Sequence, residues 1–265
     1  MAARTDHIDG VLDGVLASDL VDDPSRSAAA EPVRAEVTAR RRRRWGAQAT
    51  LASVSLGMIG SFLAISRTIG VKDGNAFDRA VVRHVGRARH PVNNAIMSGI
   101  TFFGSAPGAT AVSLSAIALA RRRPRLVWQL VSGALGGITA ELYLKRIFRR
   151  ERPRLLPHLE VVTSTSFPSG HSMASSSLYV TLAFVASRSR LLRKRRASLL
   201  AGAGAFAALI GATRVYLGVH WPTDVLGGLA LGTAWACASE AVFDLTGADR
   251  IEREAGAAST PELPA

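Results

Sequence analysis

Between residues 45 and 243 the chain is a succession of long, nearly charge-free apolar runs separated by short arginine clusters. This alternation restricts the possible fold more than any other feature. Residues 47–66 and 95–120 contain no Asp, Glu, Lys or Arg, and a helix needs about 20 such residues to cross a bilayer core. In hydrocarbon every backbone N–H and C=O must be satisfied within its own segment, so runs of this kind imply spanning helices. The apolar content of 48% looks ordinary because polar ends dilute it.

The expected fold is all-α, a six-transmembrane helix bundle over residues 45–243. Its spans are read at 47–66, 95–120, 126–144, 169–187, 197–215 and 225–243. Pro107-Gly108 interrupts the second, which is expected to begin with an interfacial or kinked piece. Residues 1–44 and 244–265 read as polar tails; the first lacks a signal peptide's apolar region and is at most weakly helical around residues 8–20. Phe77, Val81, Val82 and Val85 mark a short amphipathic helix at the membrane surface, with Asp78 as a local cap or ion-pair partner. Small residues in the later spans, among them Gly133, Gly136, Gly137, Gly202, Gly204, Gly211, Gly227, Gly228 and Gly232, are expected to let helix backbones approach closely.

The net charge of +13 would suit a nucleic-acid-binding protein. The arginines at 40–44, 121–125 and 188–196, however, lie before or between apolar runs, the spacing of cytoplasmic membrane loops, and no nucleic-acid partner is expected. With six crossings, both tails and the last two of these clusters share the cytoplasmic side. Cys237 is the only cysteine, which excludes an intrachain disulfide and a cysteine metal cluster.

Three short polar blocks interrupt this apolar pattern. Lys145 is followed by Arg152-Pro153; Pro168-Ser169-Gly170-His171 opens an apolar run; Thr213-Arg214 precedes His220 and Asp224. A helix starting at Ser169 and Gly170 would aim unpaired N–H groups and a hydroxyl at an anion, with His171 beside it. Phosphate ester hydrolysis needs an in-line nucleophile, an acid for the leaving oxygen, and positive charge around the equatorial oxygens. Pro222 is pre-set for a first helical turn, which brings Asp224 back toward the His220 ring. An aspartate on one ring nitrogen leaves the other free to attack. Chemistry alone leaves open which histidine attacks, although the pairing with Asp224 favours His220. Glu141, four residues before Lys145 on one helix face, reads as a partner that holds the lysine in position.

Together and in this order the blocks resemble the signature of the type 2 phosphatidic acid phosphatase superfamily, KxxxxxxRP, PSGH and SRxxxxxHxxxD, with Thr213 in place of the usual Ser. The resemblance implies that His220 becomes a phosphohistidine, that Asp224 orients it, and that His171 protonates the departing alcohol and later activates water. It implies phosphate binding by Lys145, Arg152, Arg214, Ser169 and the Gly170 amide. It also explains why the arginine-containing loop 146–168 falls outside by span counting: some of its arginines serve phosphate, not topology. The expected activity is that of a multi-pass plasma-membrane lipid phosphatase with an extracytoplasmic site and no cofactor. Its substrate is a lipid phosphate or diphosphate such as undecaprenyl diphosphate, phosphatidic acid or phosphatidylglycerophosphate.

Two alternatives compete with this reading. A vanadium-dependent haloperoxidase has a similar pocket, but such proteins are generally soluble and longer. A catalytically silent scaffold or transporter would not be expected to keep Lys145, Arg152, His171, Arg214, His220 and Asp224 all intact. A plainer view, in which Arg149, Arg150 and Arg152 only anchor headgroups, is outweighed by three clusters matching in order. His84, His90 and His158 lie outside the motifs and read as surface or interfacial residues. No metal site is expected, because three cations already supply the charge a metal would bring and no second acidic cluster offers oxygen ligands. Hydrolysis measured in EDTA should therefore match that in buffer alone; complete loss, restored by magnesium, would contradict this.

Overall fold

The computed structural model describes residues 24–70 and 72–258, so the helicity expected around residues 8–20 lies outside it. All regular structure among the described residues is helical: α1 Pro24–Ser66, α2 Ala76–Gly86, α3 Pro91–Phe102, α4 Ala106–Ala120, α5 Pro124–Phe148, α6 Gly170–Ser187, a 3-10 turn Arg193–Arg195, α7 Arg196–Tyr216 and α8 Pro222–Ala258. The chain forms two compact units. One contains the start of α1 and the end of α8; the other, Ser53–Glu240, carries every motif residue.

Helices α2, α3 and α4 begin with side-chain caps from Asn75, His90 and Ser105, each accepting a backbone N–H of the first turn. The apolar run 95–120 does not continue through Pro107 as one helix. It stops at Phe102 and restarts with Ser105 as N-cap and Pro107 in the first turn, where a missing N–H costs nothing. The two pieces are bent by 46°. Among the described residues three stretches are individually long and apolar enough to cross a membrane, Arg41–Ser66, Arg193–Tyr216 and Pro222–Thr246, and the bent pair makes a fourth when counted as one crossing.

Helix α6 lies at the centre, packed against α5 and α7. Its Ser172, Ser175, Ser176, Ser177 and Thr181 are buried along with Met173, Leu178 and Phe184. Enclosed by neighbours, α6 has little need of lipid-facing apolar side chains, and small hydroxyl residues let those neighbours close in. Ser177 Oγ donates to Gly133 O on α5 at 2.7 Å. At Gly228 of α8, an added Cβ would lie 2.5 Å from Ser169 O and 3.2 Å from Met173 N, so α8 packs directly on the backbone where α6 begins. Gly202 and Gly204 depart from the close-packing expectation: nothing lies within 4 Å of a Cβ built on either, because both are on the exposed face of α7.

Lys145 near the end of α5, Gly170 at the start of α6, Arg214 near the end of α7 and Asp224 in the first turn of α8 bring the three blocks to one end of the bundle. The arginines at 121–125 and 188–196 lie at the other. At that opposite end buried Glu240 accepts from Gln129 Nε2 at 2.5 Å, Arg188 Nη2 at 2.6 Å and Arg196 Nη2 at 3.3 Å. Phe167, wholly buried, anchors the Pro168 turn by stacking on Phe62 at 5.4 Å and meeting Phe148 edge-on at 4.8 Å between ring centroids.

Overpacking a close backbone contact costs about 1–3 kcal/mol. Gly228→Val is thus expected to lower both the thermal unfolding midpoint in detergent and the activity, whereas Gly202→Ala leaves both unchanged. Equal midpoints for the two variants would contradict the packing described.

Candidate active site

Helix α5 runs to Phe148, past the end expected at residue 144, and Lys145 stands on its last turn, on the helix that also carries Glu141 as expected. The helix ends at Arg149, which adopts a left-handed φ of 46° without being glycine. The chain then returns through a loop held by Ser166 N–H to Arg150 O at 2.8 Å and Ser169 N–H to Asp224 O at 3.0 Å. Thr165 Oγ1 donates to Lys145 O at 3.2 Å. The first and second blocks are thereby laced together, and the second is tied to the third.

His220 is buried at the junction of α7 and α8. Arg152 Nη1 lies 3.2 Å from its Nε2. A guanidinium only donates, so Nε2 accepts and the ring proton resides on Nδ1. That nitrogen faces Asp224 Oδ2 at 3.4 Å, a long contact of the kind catalytic pairs show before substrate binds. Oδ2 also accepts from Trp221 N–H at 2.8 Å and from the Ser166 hydroxyl. Burial pushes the His220 imidazole down to about 3, against the hydrogen bond to Asp224, and the Arg152 charge adds to the depression. The ring is neutral at physiological pH, as a nucleophile requires.

The cations gather around this ring. Arg152 also donates to Val219 O at 2.5 Å and Ser164 O at 2.7 Å. Burial and the neighbouring Arg214 charge pull it down to about 10, still protonated at neutral pH. Lys145 Nζ donates to Ser164 Oγ at 3.0 Å, the hydroxyl that Arg152 Nη2 reaches at 3.2 Å. The expected pair of Glu141 with Lys145 forms at 2.7 Å. The Glu141 carboxylate also lies directly against Gly170, where any side chain would displace it. Arg214 Nη1 donates to Thr101 Oγ1 at 2.9 Å and to the carboxylate of Glu160.

His171 in the first turn of α6 lies within electrostatic range of Arg214, His220, Lys145 and Arg152. Its Nε2 and the Nε of Arg214 are buried and lack a hydrogen-bond partner among the described residues. Buried polar atoms are nearly always satisfied, and an unpaired pair at one site marks where a polar ligand belongs. Ser169 Oγ caps α6, accepting from Ser172 N–H at 3.4 Å and Ser172 Oγ at 3.0 Å, while Thr213 Oγ1 turns back to Ile210 O at 2.6 Å. An apolar cleft of about 530 Å³ opens beside His171 and Gly170 and runs between α4, α5 and α6, past Ala109, Leu114, Leu135 and Leu178.

Several participants escaped sequence reading. Arg150 is not a headgroup anchor: its side chain is wholly buried and joins Asp224 to Asp78. Asp78 makes the expected local capping box with Asn75, yet it also receives Arg150 and Thr223 from distant parts of the chain. Ser164, Ser166 and Glu160 carry no motif of their own and become legible only through their partners. His158, in the same loop, is held by Pro153 O at 2.7 Å from Nε2. His90 caps α3 through Nδ1, and His84 stands in the last turn of α2.

Comparison with known proteins places this arrangement. Residues 125–245 match the model of the PAP2 superfamily. Phosphatidylglycerophosphatase B of Bacillus subtilis is 34% identical over 176 residues, covering 64% of this chain and 85% of that protein. Decaprenylphosphoryl-5-phosphoribose phosphatase of Mycobacterium tuberculosis is 33% identical over 125 residues, covering 45% of this chain and 62% of that protein. The crystal structure of a transmembrane PAP2-type phosphatidylglycerolphosphate phosphatase from Bacillus subtilis superposes with a TM-score of 0.62 at 29% identity, over 75% of this chain and 98% of the other. With its helical bundle, apolar crossing segments and shared sequence over most of a relative's length, the chain belongs to the PAP2 superfamily, among its membrane lipid phosphatases.

Proposed function

We propose that this protein hydrolyses the terminal phosphate of a membrane lipid through a phosphohistidine on His220. The observation that carries this reading is the pairing of a neutral, oriented His220 with a second imidazole, His171, whose buried Nε2 has no partner among the described residues. Lys145, Arg152 and Arg214, with Ser169 and the Gly170 amide at the start of α6, bind the phosphoryl oxygens. Glu141 and Glu160 neutralise two of these cations until phosphate takes them over.

The Nε2 lone pair of His220 attacks phosphorus as the ester P–O bond breaks. The bonding electrons leave with the lipid oxygen, which takes a proton from His171, the imidazolium having formed when the phosphomonoester monoanion entered the cup and passed its acidic proton to that ring. Water then attacks the phosphohistidine, gives its proton to His171, and the P–N electron pair returns to Nε2 as phosphate departs. Asp224 holds Nδ1–H and stabilises the positive charge on the ring while the P–N bond exists. The three cations stabilise charge on the equatorial oxygens throughout.

The apolar cleft beside His171 supports a lipid substrate, since an acyl or prenyl tail there would keep its headgroup oxygen next to the acid. Phosphatidylglycerophosphate is the first candidate, supported by the relative matched over most of its length; phosphatidic acid and undecaprenyl diphosphate follow. We read α5 and α6 as crossings as well, giving six in a plasma membrane. The arginine clusters opposite the site support cytoplasmic termini and an extracytoplasmic site.

Phosphate release from this panel of lipids should fall by about 10³-fold or more in His220→Ala, by analogy with loss of a nucleophile elsewhere. A phosphoenzyme stable to base and labile to acid should be trapped from the native protein alone. Equal turnover by the variant removes His220 from the role. The pH dependence of stability follows from burial. The unfolded chain protonates His220 below about 6.5, while the folded site holds it neutral down to about 3. The folded state is therefore most stable with respect to this group above the unfolded value and loses that stability as pH falls between the two. The thermal midpoint should decline over this range less steeply in His220→Gln; parallel curves would contradict it.

A further inference from the structure

Arg150 lies outside the three blocks and does not touch the phosphate cup, yet it is the most completely enclosed cation near it. Its side chain is 1% exposed, and those of Asp78 and Asp224 are 0% exposed. Nη1 donates to Asp224 Oδ1 at 2.5 Å and to Thr223 Oγ1 at 2.7 Å, and Nη2 donates to Asp78 Oδ2 at 2.7 Å. Asp78 in turn accepts from Thr223 N–H at 3.0 Å and Thr223 Oγ1 at 2.8 Å, which pins the first turn of α8. A guanidinium forked between two carboxylates is a geometry that lysine cannot reproduce.

We propose that Arg150, backed by Asp78, is a positioning residue that keeps Asp224 ionised and so keeps the His220 proton on Nδ1, with the Nε2 lone pair free for phosphorus. A carboxylate removed from water holds its charge only beside a compensating cation. The Ser166 hydroxyl and the Trp221 N–H both reach Oδ2, an arrangement suited to an acceptor-only carboxylate. A protonated Asp224 could instead donate to Nδ1, moving the ring proton to Nε2 and cancelling the nucleophile. Arg152 enforces the same tautomer in the ligand-free site, but a bound phosphate draws Arg152 away and leaves Asp224 to hold the ring. One positive charge against two carboxylates leaves a net negative charge beneath His220, the sign that stabilises a positive ring. The other charged or titratable groups facing His220 are Arg152, Arg214 and, across the cup, His171.

The role in turnover rests on the phosphatase reading; the effect on the tautomer does not. The test uses the full chain in detergent, labelled with ¹⁵N-histidine, with the His220 resonances assigned by their loss in His220→Ala. The native protein should show the Nδ1–H tautomer. Arg150→Met should move His220 toward Nε2–H, and Arg150→Lys, which keeps the charge but not the fork, should stay close to native. On the lipid panel, Arg150→Met should lower kcat by about 10²-fold with KM within about threefold, since only orientation is lost. The acid limb of its pH profile should rise, and Arg150→Lys should recover part of kcat. An unchanged tautomer in Arg150→Met overturns the proposal, as does a raised KM with unchanged kcat, which would make Arg150 a phosphate ligand. If Arg150→Met does not fold, Arg150→Gln, which removes the charge but keeps an amide donor, is read by the same spectrum and should shift in the same direction with a lowered kcat; native behaviour there overturns it. If the native protein releases no phosphate but the tautomer shifts as described, the phosphatase reading fails and the positioning role stands.

Discussion

Charge buried inside an apolar helix bundle has to be matched locally, and this requirement governs the architecture. Isolated ions are too costly in a low-dielectric interior, whereas removing one partner of a buried pair costs about 3–5 kcal/mol. Arg150 accordingly sits between Asp78 and Asp224, Lys145 on Glu141, and Arg214 on Glu160. At the opposite end Glu240 is held by Gln129, Arg188 and Arg196. The two polar layers cap a middle in which helices meet through small residues. One layer holds the motif histidines and cations; the other matches the arginine-rich end.

The central position of α6 follows from the same constraint. Its N-terminus lies at the end where the motif residues gather, and its remaining length is surrounded by α5, α7 and α8. That accounts for a helix rich in buried serine: Ser176 Oγ donates to the preceding Ser172 O and Ser177 Oγ to Gly133 O of the neighbouring α5. Gly228 brings α8 onto the first turn of α6, which is also how Asp224 O comes to accept from Ser169 N–H. Packing and catalytic geometry are here one set of contacts. The apolar side of the site is the cleft between α4, α5 and α6, where the break at residues 103–105 lets Gly104 pack against His171.

Much of the site was readable in the chain because its spacing is helical. Glu141 and Lys145 are one turn apart, and Asp224 follows His220 by a turn with Pro222 fixing the start, so neither pairing depends on the rest of the fold. Other participants had no local signature. Arg150 differs from Arg149 in sequence by nothing that marks it as buried, and Asp78 looked like an ordinary helix cap. The glycines divided in the same way: Gly228 and Gly202 are alike in the chain and opposite in surroundings.

The sequence by itself determined the helical class, the membrane setting and the grouping of histidine, aspartate and cations into three blocks, because apolar run length, charge placement and one-turn spacing are local properties. Tertiary structure alone decided which arginine lies against His220 and which is enclosed behind Asp224, and that Ser164, Ser166 and Glu160 join the same cluster. Except for Ser164, which meets the nearby Lys145 and Arg152, those assignments turn on contacts between residues more than fifty positions apart, such as Arg150 with Asp78 and Asp224. No periodicity encodes a contact of that range; it exists only once the helices have packed and each buried charge has met its partner.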